Sequence, residues 1–341
     1  MKETTYTFII ATYNRLDEVK ELIASAEVLV FPRHRFDLLF SDDGSTDGTT
    51  DFLQGYVSES GLNISYIHQK NQGPGAARNH GMSVARGDYF IFVDSDVMIP
   101  PDYLQEVDKA IQQHQWEAFG GPDTCHPDFP PLLKAIDYSM TSFIGTGGTR
   151  GSKKAVTRFY PRSFNMGIHR KIWETIGGMN ALRHGQDMEF SARIYNAGYK
   201  VGLIPDAYVY HKRRTSLRRF YKQIFNWGIA RVNLGRMDPQ LLKPVHFLPM
   251  LLLLGMGLLI LLAPFWPLGR DLLGLAMLGL LTILLLAFIQ SYRKYSSMKV
   301  AGLSLITLLI QVFAYGTGML SAWLQVLKGG TARGYTKDYY K

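Results

Sequence analysis

The chain has 341 residues, of which 47% are hydrophobic and 19% are charged, and its formal net charge is +9. The only cysteine, Cys125, excludes a framework of disulfide bonds within the chain, and this fits a reducing compartment. The length is sufficient for one large domain with an appendage. These averages combine two regions: a mixed globular part to about residue 244, and a part dominated by Leu-rich runs after it.

Short β-rich runs alternate with helical patterns in the first part of the chain. The expected strands are Tyr6–Ala11, Phe36–Phe40, Asn63–His68 and Tyr89–Val93, and the expected helices are Leu16–Val30 and Gly75–Arg86. Strands that alternate with helices predict parallel βαβ units. In such sheets ligands bind beyond the carboxyl ends of the strands, so the residues that follow each strand are the candidates for function.

Polar residues follow three of the expected strands. They are Thr12-Tyr13-Asn14-Arg15 after the first strand, SDDGSTDGT at 41–49 after the second, and Asp94-Ser95-Asp96 after the fourth. Carboxylates in such positions bind a base or ribose, or coordinate a hard cation such as Mg²⁺ or Mn²⁺. Taken singly, Asp42 and Asp43 also fit a turn with a helix N-cap, and the last triplet fits a solvated strand end. Their combination at matching strand ends favours a binding site.

A series of motifs in the chain resembles the family 2 glycosyltransferases of the GT-A fold, over about residues 5–235. The motifs are ATYNR at 11–15, SDDGSTDGT at 41–49, NQGPGAARN at 71–79, VDSD at 93–96, FNMGIHR at 164–170, GGM at 177–179 and GQDMEF at 185–190. The resemblance implies an α/β fold, with a GT-A nucleotide-sugar-binding domain and a mostly parallel, Rossmann-like sheet. C-terminal transmembrane segments are expected to follow this domain, because the hydrophobic runs after it are long enough.

The resemblance further implies a nucleotide-sugar site with a divalent cation, Mg²⁺ or Mn²⁺. Asp42 is expected to contact the base and Asp94 the ribose. Gly75 and Arg78 are expected to approach the diphosphate, because glycine permits close backbone contact and arginine offers a planar donor fork. The other residues expected in this site are Thr12, Asn14, Arg15, Asp43 and Ser95. The expected metal ligands are Asp96, Asp94 and His211. For His211, a surface histidine at a strand end is the alternative.

Asp187 is the expected general base of an inverting transfer, since the corresponding family aspartate deprotonates the acceptor hydroxyl. The family often has Glu-Asp where this chain has Gln186-Asp187. Asp187 also fits a helix N-cap before Met188–Ala197, and the two roles are compatible. The residues expected around the acceptor are Asn165, Met166, Gln186 and Trp227. For Asn165 and Met166, the alternative is that they only pack within the protein.

One segment departs from a pattern found in related enzymes. Processive polysaccharide synthases carry Gln-x-x-Arg-Trp, whereas this chain has Gln223-Ile224-Phe225-Asn226-Trp227. Asn226 replaces the arginine, and this argues against a processive synthase. Trp227 either stacks on a sugar or anchors the chain at the level of lipid headgroups.

Three hydrophobic segments follow: Val245–Pro264, Leu272–Gln290 and Val300–Leu327. A membrane helix needs about 20 mostly apolar residues. Core helices of a soluble domain are the alternative, but the Leu-rich runs lack a polar face. The third segment is interrupted by Gly316-Thr317-Gly318, and it either spans with a tilt or breaks and re-enters.

A basic run precedes the first hydrophobic segment, with nine Lys or Arg against one acidic residue between positions 211 and 243. Lys and Arg collect at the cytoplasmic flanks of membrane helices, where anionic headgroups attract them. The run therefore predicts an anionic phospholipid surface as partner and no nucleic acid. If the enzyme domain is in the cytosol, a third crossing would place the basic tail on the outer side of the membrane. This contradicts the tendency of Lys and Arg to stay on the cytoplasmic side. The cations of the tail are Lys328, Arg333, Lys337 and Lys341.

The expected organisation is a GT-A catalytic domain at 1–210, a basic amphipathic and interfacial helical linker at 211–244, a membrane region with two or three hydrophobic segments at 245–328, and a basic tail at 329–341. The expected function is inverting, metal-dependent sugar transfer from a UDP- or GDP-sugar to a lipid-linked or glycan acceptor. We expect it at the cytosolic face of the cell membrane, in cell-envelope or polysaccharide biosynthesis. The alternatives are a polyprenyl-phosphate sugar synthase, a processive exopolysaccharide synthase and a catalytically dead membrane scaffold subunit.

Overall fold

The structure is a computed structural model of the chain, and it describes residues 3–56, 58, 61–147, 159–182, 184–212 and 215–335. These residues form two compact units. The first contains the described residues up to 126 and from 159 to 212, and the second contains 127–147 and 215–335. The segment 127–147, predicted to lie inside the 1–210 domain, thus groups with the C-terminal helices.

The strands all belong to the first unit. They are β1 (Tyr6–Thr12), β2 (Phe36–Asp42), β3 (Asn63–His68), β4 (Tyr89–Asp94), β5 (Val97–Met98), β6 (Ala118–Gly120), β7 (Asp123–Thr124), β8 (Asn165–His169), β9 (Val201–Leu203) and β10 (Val209–His211).

The helices are divided between the two units. Those of the first unit are α1 (Leu16–Glu27), α2 (Thr49–Gly55), α3 (Pro74–Val84), α4 (Tyr103–His114), α7 (Arg170–Ile176) and α8 (Gln186–Asn196). Those of the second unit are α5 (Pro131–Thr141), α6 (Phe143–Thr146), α9 (Leu217–Met237), α10 (Leu248–Leu262), α11 (Pro267–Tyr295) and α12 (Met298–Leu327).

The main sheet has the strand order β3-β2-β1-β4-β8-β6-β9. Strands β1 to β4 pair in parallel, β8 is antiparallel to both of its neighbours, and β6 pairs with β9 in parallel. The predicted α/β fold with a mostly parallel sheet is therefore confirmed. All four predicted strands are present, and β1 and β2 extend beyond their predicted ends to Thr12 and Asp42.

Both faces of the main sheet are covered, because successive side chains of a strand point to opposite sides. In β1, Phe8 and Ile10 pack on one side against α1 and α4, whereas Ile9 packs on the other side against α3, α7 and α8. All three side chains are fully buried. Strands that are apolar on both faces are typical of α/β proteins.

A small second sheet has the order β5-β10-β7. In it β10 is antiparallel to β5, with His211 opposite Val97, and parallel to β7. Strand β5 directly follows Asp94-Ser95-Asp96. This sheet therefore brings His211 back beside the acidic triplet.

The second unit is organised around α12, which packs against α5, α9, α10 and α11. The surfaces of α10 and α11 are rich in exposed apolar side chains, such as Leu261 and Leu275. Three helical segments of the described residues are long and apolar enough to cross a membrane: Pro244–Leu262, Pro267–Tyr295 and Met298–Leu327. The predicted hydrophobic segments are thus helices of sufficient length.

Helix α12 continues through Gly316-Thr317-Gly318, where the sequence suggested an interruption. A Cβ on Gly318 would lie 2.2 Å from the Phe225 carbonyl oxygen of α9, and one on Gly316 would lie 2.9 Å from the Pro249 oxygen of α10. The missing side chains allow the neighbouring helices to approach closely. The two glycines mark packing contacts rather than a break in the helix, so the structure does not match the alternative in which the segment breaks.

We expect Gly167→Ala to destabilise the first unit. A Cβ on Gly167 would lie 2.0 Å from the ring of Phe119, which is fully buried in the neighbouring strand β6. Overpacking of this kind costs about 1–3 kcal/mol. Gly55→Ala is the matched control, since among the described residues no atom lies within 4 Å of its Cβ position apart from its chain neighbours and its own helix backbone. Urea unfolding of the detergent-purified protein should show a lower midpoint for Gly167→Ala alone, and equal midpoints would contradict this packing.

Candidate active site

Four parallel strands end at the same edge of the main sheet. Their register pairs Thr12 with Asp42, Ala11 with Asp94, and Asp42 with His68. The polar clusters after β1, β2 and β4 therefore lie side by side, as their positions in the sequence predicted.

The loops after β1 and β2 are connected to each other by hydrogen bonds. Asn14 has a φ of 52°, a left-handed conformation that asparagine tolerates better than most residues. Its backbone N–H donates to Ser45 Oγ at 2.8 Å, and its Oδ1 accepts from the Thr46 N–H at 2.7 Å. The Asp43 N–H donates to the Thr12 carbonyl oxygen at 2.9 Å. These bonds hold Thr12 and Asn14 at the sheet edge.

Asp42 is fully buried and bound on both carboxylate oxygens. Oδ1 accepts from the Ser45 N–H at 3.1 Å, and Oδ2 accepts from Thr50 Oγ1 at 2.9 Å and from Tyr66 Oη at 3.3 Å. Burial, with the Asp42 charge in addition, raises the pKa of Tyr66, so the phenol keeps its proton and donates. His68 Nδ1 lies 3.2 Å from Oδ2, and its side chain is half exposed. Asp42 therefore contacts only protein groups among the described residues, and His68 is the member of this hydrogen-bond network that reaches the surface.

Asp43 fixes the loop that leads into α3. Its Oδ1 accepts from Gln69 Nε2 and from the Gln72 N–H, and its Oδ2 accepts from the Gly73 N–H, each at 2.8 Å. Gly73 has a φ of 94°, which favours glycine, and it directly precedes Pro74 at the start of α3. This carboxylate thus determines where α3 begins.

Helix α3 connects two parts of the site. Arg78 Nη2 donates to Asp94 Oδ1 at 2.7 Å, and the arginine side chain is nearly buried whereas the carboxylate is about a third exposed. One turn earlier, a Cβ on Gly75 would lie 2.5 Å from Gln186 Oε1 at the start of α8. A larger residue at position 75 would force this amide to move. The α3 backbone therefore contacts α8, while its arginine contacts the acidic triplet.

The three predicted metal ligands come together in the structure. One oxygen from each of Asp94 and Asp96 and one ring nitrogen of His211 all lie within 4.8 Å of one another. His211 Nε2 is 3.1 Å from Asp96 Oδ1. Two carboxylates and an imidazole form a donor set that suits divalent cations such as Mn²⁺, and carboxylates also suit Mg²⁺. The residues present therefore fit a divalent cation.

Asp123 was not identified from the sequence, and it orients His211. It lies on β7 and its side chain is fully buried, with Oδ2 3.3 Å from His211 Nδ1. A carboxylate behind the second ring nitrogen is the usual partner of a metal-binding histidine, because it fixes the ring and raises its basicity. Its sequence context, Gly-Gly-Pro-Asp-Thr, resembles an ordinary turn. Only the pairing of β7 with β10 reveals its role.

Asp187 lies in the first turn of α8, one residue after Gln186 begins the helix. The N-cap position is held by Gly185, with a φ of 82°, so Asp187 is inside the helix and not its cap. Its Oδ1 accepts from the Met188 N–H at 2.9 Å, and the side chain is partly exposed. A carboxylate in a first turn is stabilised by the helix dipole. The contact of Gln186 with Gly75 places this turn beside α3.

Asn165 and Met166 lie away from solvent, since both are fully buried in β8. Asn165 Oδ1 accepts from Tyr103 Oη at 2.7 Å, and its Nδ2 donates to the Ala207 carbonyl oxygen at 2.8 Å. Met166 belongs to the apolar cluster that also contains Phe92. These contacts match the packing alternative and leave neither side chain in a position to touch an acceptor.

The remaining predicted residues have mixed surroundings. Arg15 pairs with Glu18 in the first turn of α1, at 2.9 Å, and is partly exposed. Ser95 is buried between the two aspartates of the triplet. Trp227 lies on α9 of the second unit, partly buried against an apolar cluster that includes Ile224.

Several buried polar atoms at this edge have no hydrogen-bond partner among the described residues. They are Thr12 Oγ1, Arg78 Nε and Gln186 Oε1. A buried polar atom without a partner costs about 1–3 kcal/mol. A polar ligand that pairs with these atoms would recover that cost. Arg78 lies beside the acidic triplet, Thr12 at the end of β1 and Gln186 beside α3, and this grouping indicates a ligand site.

Comparison with known proteins identifies the family. Residues 7–177, half of the chain, match the glycosyl transferase family 2 profile, and the chain belongs to this family. A putative glycosyltransferase of Bacillus subtilis, EpsH, is 27% identical over 244 residues, covering 67% of each chain. An uncharacterized glycosyltransferase of Rickettsia felis is 27% identical over 229 residues, which are 61% of this chain but only 36% of that longer protein.

A solved structure supports the fold. The mannosyltransferase PcManGT of Pyrobaculum calidifontis, in complex with GDP-Man and Mn²⁺, matches with a TM-score of 0.62 at 18% identity, covering 91% of this chain and 87% of that one. At this identity the likeness concerns the fold alone. The expected GT-A fold, followed by C-terminal helices apolar enough to span a membrane, is thereby confirmed.

We expect Asp123→Asn to weaken the binding of Mn²⁺ by about 10–100-fold, because His211 loses the charged group that orients it. Asp206→Asn, on an exposed loop of the same unit, is the matched control. Free Mn²⁺ can be counted by electron paramagnetic resonance in titrations with and without UDP or GDP. Unchanged affinity in Asp123→Asn would show that this carboxylate does not support the metal site.

Proposed function

We propose that this chain is a metal-dependent glycosyltransferase that moves a sugar from a nucleoside diphosphate sugar to an acceptor hydroxyl at a membrane. The observation that carries the proposal is the gathering of Asp94, Asp96 and His211 within 4.8 Å at the edge of a family 2 fold. Arg78 beside this cluster adds a fixed cation. A diphosphate needs both positive groups and a divalent cation to neutralise its charge.

The donor would bind across the ends of β1, β2 and β4. Thr12 and Asn14 lie where a nucleoside would contact the edge, and the Asp42 network would act on the base through Tyr66 and His68. Arg78 has an unpaired Nε that can donate to a phosphate oxygen while Nη2 stays on Asp94. The GDP-Man and Mn²⁺ of the Pyrobaculum mannosyltransferase support a donor of this class.

Asp94, Asp96 and His211 would hold the cation, with Asp123 orienting the histidine. When bound, Mn²⁺ or Mg²⁺ supplies positive charge that stabilises the departing diphosphate. The protein groups add to this stabilisation. Arg78 presents a rigid donor, and the burial of its side chain strengthens its electrostatic effect on a nearby anion.

Asp187 would be the base. Its carboxylate takes the proton of the acceptor hydroxyl, the acceptor oxygen forms a bond to the anomeric carbon, and the bond from that carbon to the diphosphate oxygen breaks. The nucleoside diphosphate leaves with the bonding electron pair. Attack from the face opposite the leaving group inverts the anomeric configuration. An acceptor phosphate is already ionised and needs no base, so Asp187 favours a hydroxyl acceptor over a polyprenyl phosphate.

The acceptor would be lipid-linked, and the site would face the cytosol. The helices of the second unit provide the attachment to the membrane, since their apolar surfaces are exposed. Confinement of enzyme and acceptor to one surface reduces the search for a productive encounter. A dead scaffold would not need the complete set of Asp94, Asp96, His211 and Arg78, nor their mutual geometry.

We expect the detergent-purified chain to hydrolyse one nucleotide-sugar slowly and only with Mn²⁺ or Mg²⁺. The measurement is release of nucleoside diphosphate from a panel of UDP- and GDP-sugars, with and without the cation. Asp96→Asn should lose the metal-dependent activity, and Asp206→Asn should keep it. If no donor binds in a metal-dependent manner by calorimetry, the scaffold alternative is the better explanation.

We expect Asp187→Asn to bind the donor normally but to transfer sugar about 10²–10⁴-fold more slowly, the usual contribution of a general base. Transfer is measured as radiolabel moving from the identified donor into the lipid extract of cell membranes. Asp206→Asn serves again as control. Near-normal transfer by folded Asp187→Asn would reject the base assignment and favour an acceptor phosphate.

A further inference from the structure

Helix α12 differs from the other two candidate spans in its surroundings. In its most apolar 18-residue stretch 44% of the residues are buried within the chain, against 0% for Pro244–Leu262 and 6% for Pro267–Tyr295. The first two helices expose their surface as lipid-facing helices do. The third helix is covered by other parts of the chain on one side along most of its length. The position of these contacting segments relative to the membrane therefore indicates the position of α12.

The first half of α12 binds a part of the chain that belongs to no candidate span. Thr307 Oγ1 donates to the Ala135 carbonyl oxygen of α5 at 3.0 Å and lies 2.6 Å from Ser139 Oγ. One turn later, Gln311 Nε2 donates to the Gly145 carbonyl oxygen at 2.6 Å. Thr307 and Gln311 therefore face α5 and the segment after it.

The second half of α12 lies beside α9 and the first residues of the first span. Gly318 is in contact with Phe225 of α9. The ring of Trp323 stacks on Phe247, just before α10 begins, with centroids 6.3 Å apart. Had α12 crossed alongside α10, Trp323 would lie near the turn between α10 and α11, at the opposite end of the hairpin. It lies instead at the start of α10.

The chain after α12 returns to α9. Asn226 forms two hydrogen bonds with the Tyr335 backbone: its Nδ2 donates to the carbonyl oxygen at 3.0 Å and its Oδ1 accepts from the N–H at 2.9 Å. Asn233 Nδ2 donates to the Ala332 carbonyl oxygen at 2.9 Å. Gly334 packs so closely on Asn226 that a Cβ would lie 2.1 Å from its Oδ1. Residues 331–335 are thus held on α9, on the side from which the first span departs.

The outer surface of α12 is an apolar stripe. Its members are the exposed side chains Ile306, Leu309, Phe313, Leu324 and Leu327. Their helical spacing puts them on one face, opposite the small and polar residues that contact α5 and α9. A helix with protein on one side and an apolar stripe on the other fits the plane of a membrane interface.

We propose that only α10 and α11 cross the membrane, as a hairpin, and that α12 lies along the membrane face with its apolar stripe in the lipid. The stripe is apolar and exposed, as the surface of the hairpin is, so the bilayer that surrounds the hairpin is its occupant. The C-terminal segment then stays on the side of α9. Lys299, Lys328 and Arg333 all lie on that side, and the conflict with the positive-inside tendency disappears.

Cysteine labelling tests this topology independently of the reaction. In a Cys125→Ser background, single cysteines replace Lys109 of the first unit, Phe265 in the hairpin turn and Lys328 after α12, all exposed positions. Each variant is treated with a membrane-impermeant maleimide in inside-out and in right-side-out vesicles. We expect Lys109→Cys and Lys328→Cys to react in the same vesicles, and Phe265→Cys only in the opposite ones.

Two results would overturn the proposal. If Lys328→Cys reacts together with Phe265→Cys, α12 crosses the membrane. If all three positions react from the same side, the hairpin does not cross. Correct folding of each variant is checked by gel filtration in detergent before labelling.

Depth measurements provide a second test. Nitroxide labels at Ile306, Phe313 and Leu324 cover 18 residues of α12, or about 27 Å of helix, which is close to the thickness of the hydrocarbon core. We expect all three labels in the same leaflet, as judged by relative exposure to oxygen and to a water-soluble nickel chelate. A profile that is deepest at Phe313, with Leu324 emerging in the leaflet of Phe265, would show a crossing.

Discussion

The parallel register of β1, β2, β3 and β4 is the constraint on which the site depends. Because these strands end level with one another, residues far apart in the chain share one edge of the sheet. The residues that follow each strand then have their own structural role. Asn14 ties the first loop to the second, Asp43 fixes the start of α3, and α3 returns Arg78 to Asp94. A shift of one residue in any pairing would turn the side chains to the other face and separate these groups.

Much of this edge could be predicted from the sequence, because strand-end motifs are local and the parallel topology brings them together. Asp94, Asp96 and His211 were predicted together as candidate metal ligands, and the structure brings them within 4.8 Å of one another. Asp123 could not be predicted, since its role arises from a short β-pairing between β7 and β10, which lie more than 80 residues apart in the chain. Asn165 and Met166 belong to a recurring motif, and such a motif does not distinguish a packing residue from a residue that contacts the acceptor.

The second unit shows a different limit of sequence analysis. Apolar composition identified three helices, but the same composition suits a crossing helix and a helix that lies along the membrane face. The deciding features are pairs such as Asn226 with Tyr335 and Trp323 with Phe247, which connect segments about 75–110 residues apart. The segment 127–147 could not be assigned in advance for the same reason, since its partner α12 begins more than 150 residues later. In place of the arginine of processive synthases, Asn226 binds the chain's own backbone.

The close contact between Gly75 and Gln186 has a consequence for how such enzymes diversify. The helix that would face the donor phosphates and the helix that carries the proposed base meet there through the Gln186 side chain, which lies against the bare backbone of Gly75. Neither can be exchanged for the corresponding helix of a relative unless the facing first turn is exchanged with it. The helix that carries the proposed base and the helix at the donor phosphates are therefore expected to evolve together. A chimera of two related enzymes is expected to be active only when α3 and α8 come from the same enzyme.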